Sequence, residues 1–331
     1  MKLLVQKLSF WDVAIAVAVL ALLMISLQHA SRRIRVAWQH RHPANTATNF
    51  GTCASPQGLA FDGSHIWVAC SGANSIEEFN ASDGRLLRTI TDNVNLVTPE
   101  ALVFDGTNIW VSNSSTSKGM LTQVRARDAT ILKTYAVGSG PWGMTYDGTS
   151  VWVANYSSGN LSKVNVSREN VTNINLSGCH VPDALGFDGA HIWVNCGAGT
   201  TVQELDLNGN LLHTVTVGSN PYNFAFDGTN MWVVNVKGDS VTKITAIATG
   251  SCPNPPCVVG EYDVGVRPQA VVFDSKYIWV SNLEDDSLTK LLASNGAEVG
   301  TITGLSSPSF VAFDGGNIWV SQAPANKVSK L

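Results

Sequence analysis

The chain has 331 residues, of which 44% are hydrophobic and only 14% are charged, and its formal net charge is −4. This apolar content is sufficient to fill a sizeable core. Residues 45–331 carry 15 basic and 24 acidic residues, a formal charge of −9, and no basic run follows residue 41. An acidic surface repels anionic polymers, so the composition argues against a nucleic-acid partner.

The first 44 residues differ in composition from the rest and are predicted to be a separate segment. Lys2 and Lys7 precede an almost wholly apolar run over residues 8–27, and four arginines follow, the last at Arg41. A basic start and an apolar run of about 20 residues are typical of an export signal, and the run is also just long enough to span a membrane. The sequence predicts a hydrophobic N-terminal helix. It leaves open a cleaved signal, a retained anchor or a misread start site.

The remainder of the chain is organised around a repeated octapeptide. Residues 61–68 read FDGSHIWV, and seven variants of this segment each begin five residues after a proline. The prolines are Pro56, Pro99, Pro141, Pro182, Pro221, Pro268 and Pro308, at spacings of 39 to 47 residues. A period in the forties with several short β-patterned runs is typical of a propeller. We therefore predict an all-β, seven-bladed β-propeller with four-stranded blades over residues 45–331.

The two ends of the repeat array complement each other. The unit that begins at Pro308 ends with a third strand over residues 328–331 and therefore lacks an outer strand. Residues 46–51 precede the first proline and read like the outer strands of other units, such as residues 214–218. We predict that this N-terminal strand completes the last blade and closes the ring without an open edge. We expect the closed ring to be a monomer.

Two further residue types recur in the units. An Asp-Gly pair follows the inner strand in six of the seven, where glycine supplies a positive φ and the Asp accepts hydrogen bonds from its own turn. Seven tryptophans occupy one position of the second strand: Trp67, Trp110, Trp152, Trp193, Trp232, Trp279 and Trp319. One identical large ring in each unit predicts packing between adjacent blades rather than a row of sugar-binding aromatics.

The six cysteines fall into three pairs. Cys53 and Cys70 are 17 residues apart, as are Cys179 and Cys196, and the first of each pair lies three residues before a repeat proline. In an antiparallel hairpin these two positions meet at one edge, so a local bridge is feasible. The predicted disulfides are Cys53–Cys70, Cys179–Cys196 and Cys252–Cys257. Complete pairing is typical of an oxidising compartment, and we expect an extracytoplasmic protein, either periplasmic or secreted.

The residue after each repeat proline varies while the surrounding motif does not. Inner strands of a propeller begin at the mouth of the central channel, so these seven side chains should line it. We call them the mouth ring: Gln57, Glu100, Trp142, Asp183, Tyr222, Gln269 and Ser309. Carboxylates, amides and aromatic rings around a small opening can hold a cationic or polyhydroxylated ligand. Channel mouths are also commonly polar without a specific ligand, and both interpretations remain open.

Catalytic and metal-binding patterns are sparse. The chain contains no GxSxG, HExxH or GxxxxGK[ST] motif. His180 with Asp183 is a candidate acid–base pair near the mouth. Glu284, Asp285 and Asp286 form a weak candidate cation site, because carboxylates are hard ligands. No cofactor is assigned; Mg²⁺ and Ca²⁺ are the ions that such a site would suit.

The repeat pattern P-x-G-[LM]-x-[FY]-D-G-x-x-[IV]-W-V-x-N, as in residues 141–155, resembles that of the NHL and YVTN repeat propellers. This group includes the streptogramin B lyase-like proteins, and the resemblance spans residues 46–331. It implies an extracytoplasmic binding or scaffold module. In the lyase branch it implies opening of a cyclic depsipeptide by a histidine base and a magnesium ion held by acidic residues. None of the mouth-ring residues is a histidine, so no catalytic residue is carried over.

We therefore predict an exported or membrane-tethered propeller that acts as a ligand- or protein-binding scaffold through its channel mouth. The partner can be a peptide, a glycan, a small molecule or a protein. The alternative is an enzyme, a metal-assisted lyase or hydrolase of the streptogramin B lyase type.

Overall fold

A computed structural model describes residues 47–114, 119–197 and 199–331. Within these ranges the chain forms 28 β-strands and one short 3-10 turn at Ala323–Ala325. The strands make seven antiparallel sheets of four strands each. Every inner strand contacts the inner strands of both neighbouring sheets, and the last contacts the first. The predicted seven-bladed propeller is confirmed.

The strands follow the repeat units along the chain. The first is β1 (Thr48–Gly51). Blade 1 contains β2 (Pro56–Phe61), β3 (His65–Cys70), β4 (Ser75–Asn80) and β5 (Leu86–Thr91). Blade 2 contains β6 (Pro99–Phe104), β7 (Asn108–Asn113), β8 (Met120–Arg125) and β9 (Thr130–Ala136). Blade 3 contains β10 (Pro141–Tyr146), β11 (Ser150–Asn155), β12 (Asn160–Asn165) and β13 (Val171–Asn175).

The remaining blades repeat this order. Blade 4 contains β14 (Leu185–Phe187), β15 (Ile192–Asn195), β16 (Thr201–Leu205) and β17 (Leu211–Thr216). Blade 5 contains β18 (Pro221–Phe226), β19 (Asn230–Asn235), β20 (Ser240–Thr245) and β21 (Cys257–Asp263). Blade 6 contains β22 (Pro268–Phe273), β23 (Tyr277–Asn282), β24 (Ser287–Leu292) and β25 (Glu298–Thr303). Blade 7 contains β26 (Pro308–Phe313), β27 (Ile318–Gln322) and β28 (Lys327–Lys330).

The first strand completes the last blade, as predicted. The order in blade 7 is β1-β28-β27-β26, and β1 pairs antiparallel with β28, with Thr48 opposite Lys330 and Gly51 opposite Lys327. Phe50 of β1 stacks on Trp319 with 5.6 Å between ring centroids. Both backbone pairing and an aromatic contact therefore join the two ends of the propeller.

Each Asp-Gly turn is fastened by the repeat aspartate. In blade 1 one carboxylate oxygen of Asp62 accepts hydrogen bonds from the backbone of Ser64 and His65. Its other oxygen accepts the indole N–H of Trp67 at 2.9 Å. The indole bond recurs in all seven blades at 2.7 to 2.9 Å. The backbone bonds were predicted, whereas the bond from the tryptophan was not.

The tryptophans pack between blades, as predicted. Six of the seven are fully buried, and Trp279 is 6% exposed. Trp67 of blade 1 packs in one cluster with Leu102, Ile109 and Val124 of blade 2. An indole ring so buried needs a partner for its N–H, and the aspartate of the same blade provides it.

All three predicted disulfides are present, with Cα atoms 5.7, 4.8 and 6.0 Å apart. Cys70 and Cys196 each lie three residues after the blade tryptophan, where the other blades have a buried Asn or Gln. In blade 2 that residue, Asn113, accepts the backbone N–H of Val97 just before the repeat proline. The disulfides of blades 1 and 4 make the same connection covalently. Three disulfides indicate an oxidising, extracytoplasmic environment.

The predicted N-terminal helix and the division of the chain at residue 44 concern a segment outside the described residues. Within the described ranges, no helix is both long and apolar enough to cross a membrane.

Candidate functional site at the channel mouth

The inner strands approach each other closely where they begin. A Cβ atom added to Gly58 of blade 1 would lie 2.5 Å from the carbonyl oxygen of Glu100 in blade 2. One added to Gly143 of blade 3 would lie 2.6 Å from the carbonyl oxygen of Asp183 in blade 4. Only glycine fits such a close approach of two backbones. The neighbouring mouth-ring residues are therefore held by a rigid, tightly packed frame.

A hydrogen bond connects two mouth-ring residues that are 80 positions apart. The indole Nε1–H of Trp142 in blade 3 donates to the hydroxyl oxygen of Tyr222 in blade 5 at 2.8 Å. Blade 4 lies between these two blades. Its inner strand has three residues, whereas the inner strand of blade 3 has six. The ring of Tyr156 lies 6.4 Å from that of Trp142, and Tyr156 is 47% exposed. Trp142 therefore contacts both Tyr222 and Tyr156, and the last of these is partly open to solvent.

Glu100 is a buried carboxyl group beside these rings. Only 8% of the residue is exposed. Burial raises the pKa of Glu100 to about 7, although the hydrogen bond from Ser114 Oγ, at 3.1 Å, favours the ionised form. Desolvation acts against the charged form of an acid, and one neutral donor does not compensate for it. Glu100 is therefore poised to gain or lose a proton near neutral pH.

Asp183 is the second carboxyl group in this region. Burial raises its pKa to about 6, against the effect of a hydrogen bond from the side-chain amide of Asn195. The carbonyl oxygen of the Asn195 side chain also accepts the backbone N–H groups of Asp183 and Ala184. Burial and the nearby carboxylates of Asp183 and Glu100 raise the pKa of Tyr222 far above its usual value, so this tyrosine stays neutral. Four mouth-ring residues therefore share one electrostatic environment.

Asn195 was missed in the sequence. It lies two residues after Trp193, a position that other blades fill with Ala, Ser or Val. Its amide nitrogen also donates to the carbonyl oxygen of Pro221 at 2.9 Å, so it links blade 4 to blade 5. The displacement of Asn from its usual position, three residues after the tryptophan, was the available signal.

The other three ring residues do not join this group. Ser309 is 7% exposed, and its Oγ lies 3.0 Å from Ser321 Oγ within blade 7. Gln57 and Gln269 are half-buried, and neither side chain forms a hydrogen bond within the described part of the chain. The structure thus collects Glu100, Trp142, Asp183 and Tyr222 on one side of the mouth. Whether the ring binds a ligand stays a prediction.

The candidate acid–base pair does not form in this conformation. His180 is exposed, and among the described residues it makes no hydrogen bond or ion pair with Asp183. Its backbone lies next to Gly159, where an added Cβ atom would be 2.7 Å from the His180 carbonyl oxygen. The carboxylate of Asp183 instead accepts a hydrogen bond from the side-chain amide of Asn195.

The three acidic residues after β23 have separate partners. Glu284 Oε1 lies 3.3 Å from Arg267 Nη1. Asp285 accepts the backbone N–H of Val266, and Asp286 accepts that of Ser307. These bonds hold the loops that precede the prolines of blades 6 and 7. The proposed calcium or magnesium site at these residues stays a prediction.

Two surface grooves of 340 and 600 Å³ lie at the opposite end of the inner strands, next to the Asp-Gly turns. Both are lined by Ser64 and His65, and neither includes a mouth-ring residue. The mouth is the place where buried ionisable groups and aromatic rings coincide, so it is the stronger candidate site.

The fold and this site define a seven-bladed β-propeller with a mixed carboxyl and aromatic channel mouth. Its architecture is similar to that of a streptogramin B lyase structure, with a TM-score of 0.71 and 17% identity over 86% of this chain and 96% of that one. Virginiamycin B lyase from Staphylococcus aureus matches with a TM-score of 0.70 and 17% identity over 86% of this chain and 98% of the other.

A third similar structure is Kuenenia stuttgartiensis hydrazine synthase, with a TM-score of 0.71 and 17% identity over 88% of this chain and 98% of the other. No protein-family model and no curated protein sequence matches this chain. At such identities the similarity concerns the fold, which is that of a streptogramin B lyase-like propeller.

Proposed function

We propose that the protein is an extracytoplasmic propeller that binds a small ligand or a peptide end at its channel mouth. The hydrogen bond between Trp142 and Tyr222 carries this proposal. It brings two aromatic side chains from non-adjacent blades together beside two buried carboxyl groups. Packing of the blades does not require this arrangement, since the other three ring positions are filled without it.

The chemistry of the mouth favours a ligand with a flat or apolar part and a positively charged or hydrogen-bonding part. The half-exposed ring of Tyr156 and the neighbouring Trp142 offer faces for stacking and for cation–π contact. An ammonium or guanidinium group near Glu100 and Asp183 would offset the burial of their negative charge. Amine-bearing peptides, polyamines and amino sugars combine these features.

The N-terminal segment supplies the expected route to this compartment. We propose that residues 1–44 direct export, with the segment either cleaved or kept as a membrane anchor. The disulfides support an extracytoplasmic location, and the basic, apolar sequence of the segment supports export. Edman sequencing or mass spectrometry of the mature N-terminus would distinguish cleavage from retention.

An enzymatic alternative also has an observation in its favour. A glutamic acid whose pKa is about 7 is suited to proton transfer near neutral pH. The similar structures include a streptogramin B lyase, an activity that belongs to that protein. In this alternative Glu100 transfers the proton in a lyase or hydrolase reaction.

The test is a ligand screen on the purified full chain under oxidising conditions. Thermal unfolding is measured with amine-bearing peptides, polyamines, amino sugars and cyclic depsipeptides, and hits are quantified by calorimetry. Replacing Trp142 by Ala should weaken a hit by at least about tenfold, the usual value of one lost aromatic stacking contact. Tyr222→Phe should weaken it less, because only the acceptor for the indole is lost.

Tyr146→Phe is the matched control, because Tyr146 ends the same inner strand that Pro141 and Trp142 begin. This variant loses a hydroxyl group at the far end of the strand and should bind as the native chain does. Equal affinity in the native chain and in Trp142→Ala would remove the mouth as the site. Product formation that is lost in Glu100→Gln would support the enzyme instead.

A further inference from the structure

A cluster of histidine and acidic side chains lies in blade 4, at the end of the inner strand opposite the mouth. Asp188 belongs to the turn after β14, His191 precedes β15, and Glu204 lies on β16. The Nδ1 atom of His191 is 2.9 Å from Glu204 Oε1 and 3.4 Å from Asp188 Oδ2. All three potential ligand atoms lie within 4.8 Å of one another.

The imidazole nitrogen that faces the carboxylates is buried and has no hydrogen bond. His191 Nδ1 comes within 2.9 Å of an oxygen, yet the angles do not suit a hydrogen bond. The side chains of Asp188 and Glu204 are only 2% and 4% exposed. Buried polar atoms without partners are rare in native proteins and call for an explanation. One nitrogen and two oxygens that converge without bonding to each other resemble the ligands of a metal ion.

Blade 1 has the same three residue types at the same spacing and is a matched case. There His65 Nδ1 forms a hydrogen bond with Asp62 Oδ2 at 3.0 Å. The buried carboxylate of Glu78 lies 3.1 Å from the Nε atom of Arg88 on the outer strand. Blade 1 therefore provides its own permanent cation, and its imidazole has a partner.

Blade 4 is also the exception to a pattern of cations in the other blades. In each blade the tryptophan lies opposite one residue of the third strand, and that residue is paired with a neighbour on the outer strand. We call these third-strand and outer-strand residues together the cross-strand pair. Six blades place Lys or Arg there: Arg88, Lys133, Lys163, Lys243, Lys290 and Lys330. Lys163, Lys243 and Lys330 each donate to a backbone carbonyl of the next blade. In blade 4 the corresponding two residues are Glu204 and His213, and neither is Lys or Arg.

We infer that blade 4 binds a divalent transition-metal ion, best satisfied by Zn²⁺, through His191 Nδ1, Glu204 Oε1 and Asp188 Oδ2. Imidazole nitrogen and carboxylate oxygen are ordinary zinc ligands, and bonds of about 2.0 to 2.2 Å in a tetrahedron separate the ligand atoms by about 3.3 to 3.6 Å. The separations of 2.9 and 3.4 Å at His191 are close to that range. The ion takes the place of the Lys or Arg of the other blades.

The surroundings of the three ligands fit this role. His213 Nδ1 lies 2.7 Å from the other carboxylate oxygen of Glu204 and orients it from outside, as second partners of metal ligands do. Asp188 Oδ2 also accepts the indole N–H of Trp193 at 2.8 Å, and one carboxylate oxygen has room for both. The His191 side chain is 35% exposed, which gives an ion access from solvent and leaves a fourth position for water.

The test is calorimetric titration of the chelator-stripped full chain with ZnCl₂ at pH 7.5, together with the visible absorption of Co²⁺ at the same site. We expect one zinc ion whose affinity falls at least about tenfold in His191→Gln. His213→Arg copies the cation of blade 1 and should also abolish the cobalt spectrum. His65→Gln alters the equivalent histidine of blade 1 and should leave both readouts unchanged.

Three outcomes would overturn the inference: no zinc binding by the native chain, undiminished binding by His191→Gln, or loss of binding in His65→Gln alone. Undiminished binding would place zinc elsewhere, for example at His29, His40 and His42 of the N-terminal segment. Near-ultraviolet circular dichroism checks that each variant is folded. Because His213→Arg adds a charge already tolerated in blade 1, it gives a second, independent readout if His191→Gln unfolds.

Discussion

Replacing Glu100 by Gln should make the propeller more stable at alkaline pH and leave it unchanged at acid pH. Burial raises the pKa of Glu100 from 4.5 to about 7 in the folded chain. Below pH 4.5 the residue is protonated in both the folded and the unfolded chain, so its burial does not lower the free energy of unfolding. Between pH 4.5 and 7 the unfolded chain loses this proton first, and unfolding becomes easier.

The size of the effect follows from the same values. Each tenfold change in acidity corresponds to about 1.4 kcal/mol, so the rise from 4.5 to about 7 corresponds to about 3 kcal/mol lost by pH 8. Glutamine has nearly the shape of the protonated acid and carries no charge. The variant should therefore be up to about 3 kcal/mol more stable than the native chain at pH 8 and about equal to it at pH 4.

The assay is urea unfolding of both chains, followed by tryptophan fluorescence, at intervals from pH 4 to pH 8 with the disulfides intact. Glu298→Gln is the control, because it makes the same substitution at an exposed residue on the outer strand of blade 6. The reasoning is refuted if Glu100→Gln loses stability at pH 8, or if its pH dependence matches that of the native chain.

Two further predictions concern the frame that holds the mouth. Replacing Cys179 and Cys196 together by Ser removes a bridge across 17 residues and should lower the free energy of unfolding by about 3 kcal/mol in guanidinium chloride; a loss under about 0.5 kcal/mol would contradict this. Phe50→Ala removes the ring stacked on Trp319 at the closure of blade 7 and should cost about 3 kcal/mol. Leu86→Ala, on an outer strand at a residue 43% exposed, is its control, and an equal loss in both variants would count against the closure.

Much of the fold could be predicted from the sequence because its determinants are local and repeated. A proline, a turn with Asp and a tryptophan at fixed spacing specify the same hairpin seven times, and Cys53 and Cys70 fall at the edge of one such hairpin. The strand before Pro56 then pairs with the third strand of the last unit and closes the ring. The indole bond from Trp67 to Asp62 was not foreseen, because strand alternation says which face a side chain occupies and not where its N–H points.

The sequence predicted where the mouth-ring residues lie along the chain, but not which of their side chains contact each other. Six of the seven residues after the prolines are the second residues of their inner strands, and Asp183 lies two residues before β14. The hydrogen bond from Trp142 to Tyr222 joins blades 3 and 5, which are not neighbours, and no local pattern encodes it. Likewise, no local pattern shows that the displaced Asn195 donates a hydrogen bond to Asp183.

The blade 4 cluster shows a different limit of sequence reasoning. His191 and Glu204 come together only through the register that sets Trp193 opposite Glu204. As single residues they look like an ordinary turn histidine and a strand glutamate. Comparison between blades, rather than inspection of one, identifies blade 4 as the blade in which neither Glu204 nor its outer-strand partner His213 is a Lys or Arg.

The pairing of β1 with β28 also constrains when the chain can finish folding. Thr48 and Lys330 are partners across nearly the whole length of the chain, so the ring cannot close until the last strand has been synthesised. Contacts of such long sequence separation form slowly. Between the synthesis of β28 and its pairing with β1, blade 7 presents an unpaired edge at Lys327–Lys330, where a second chain can dock its own first strand. Helper proteins that shield strand edges would therefore act mainly on this final step.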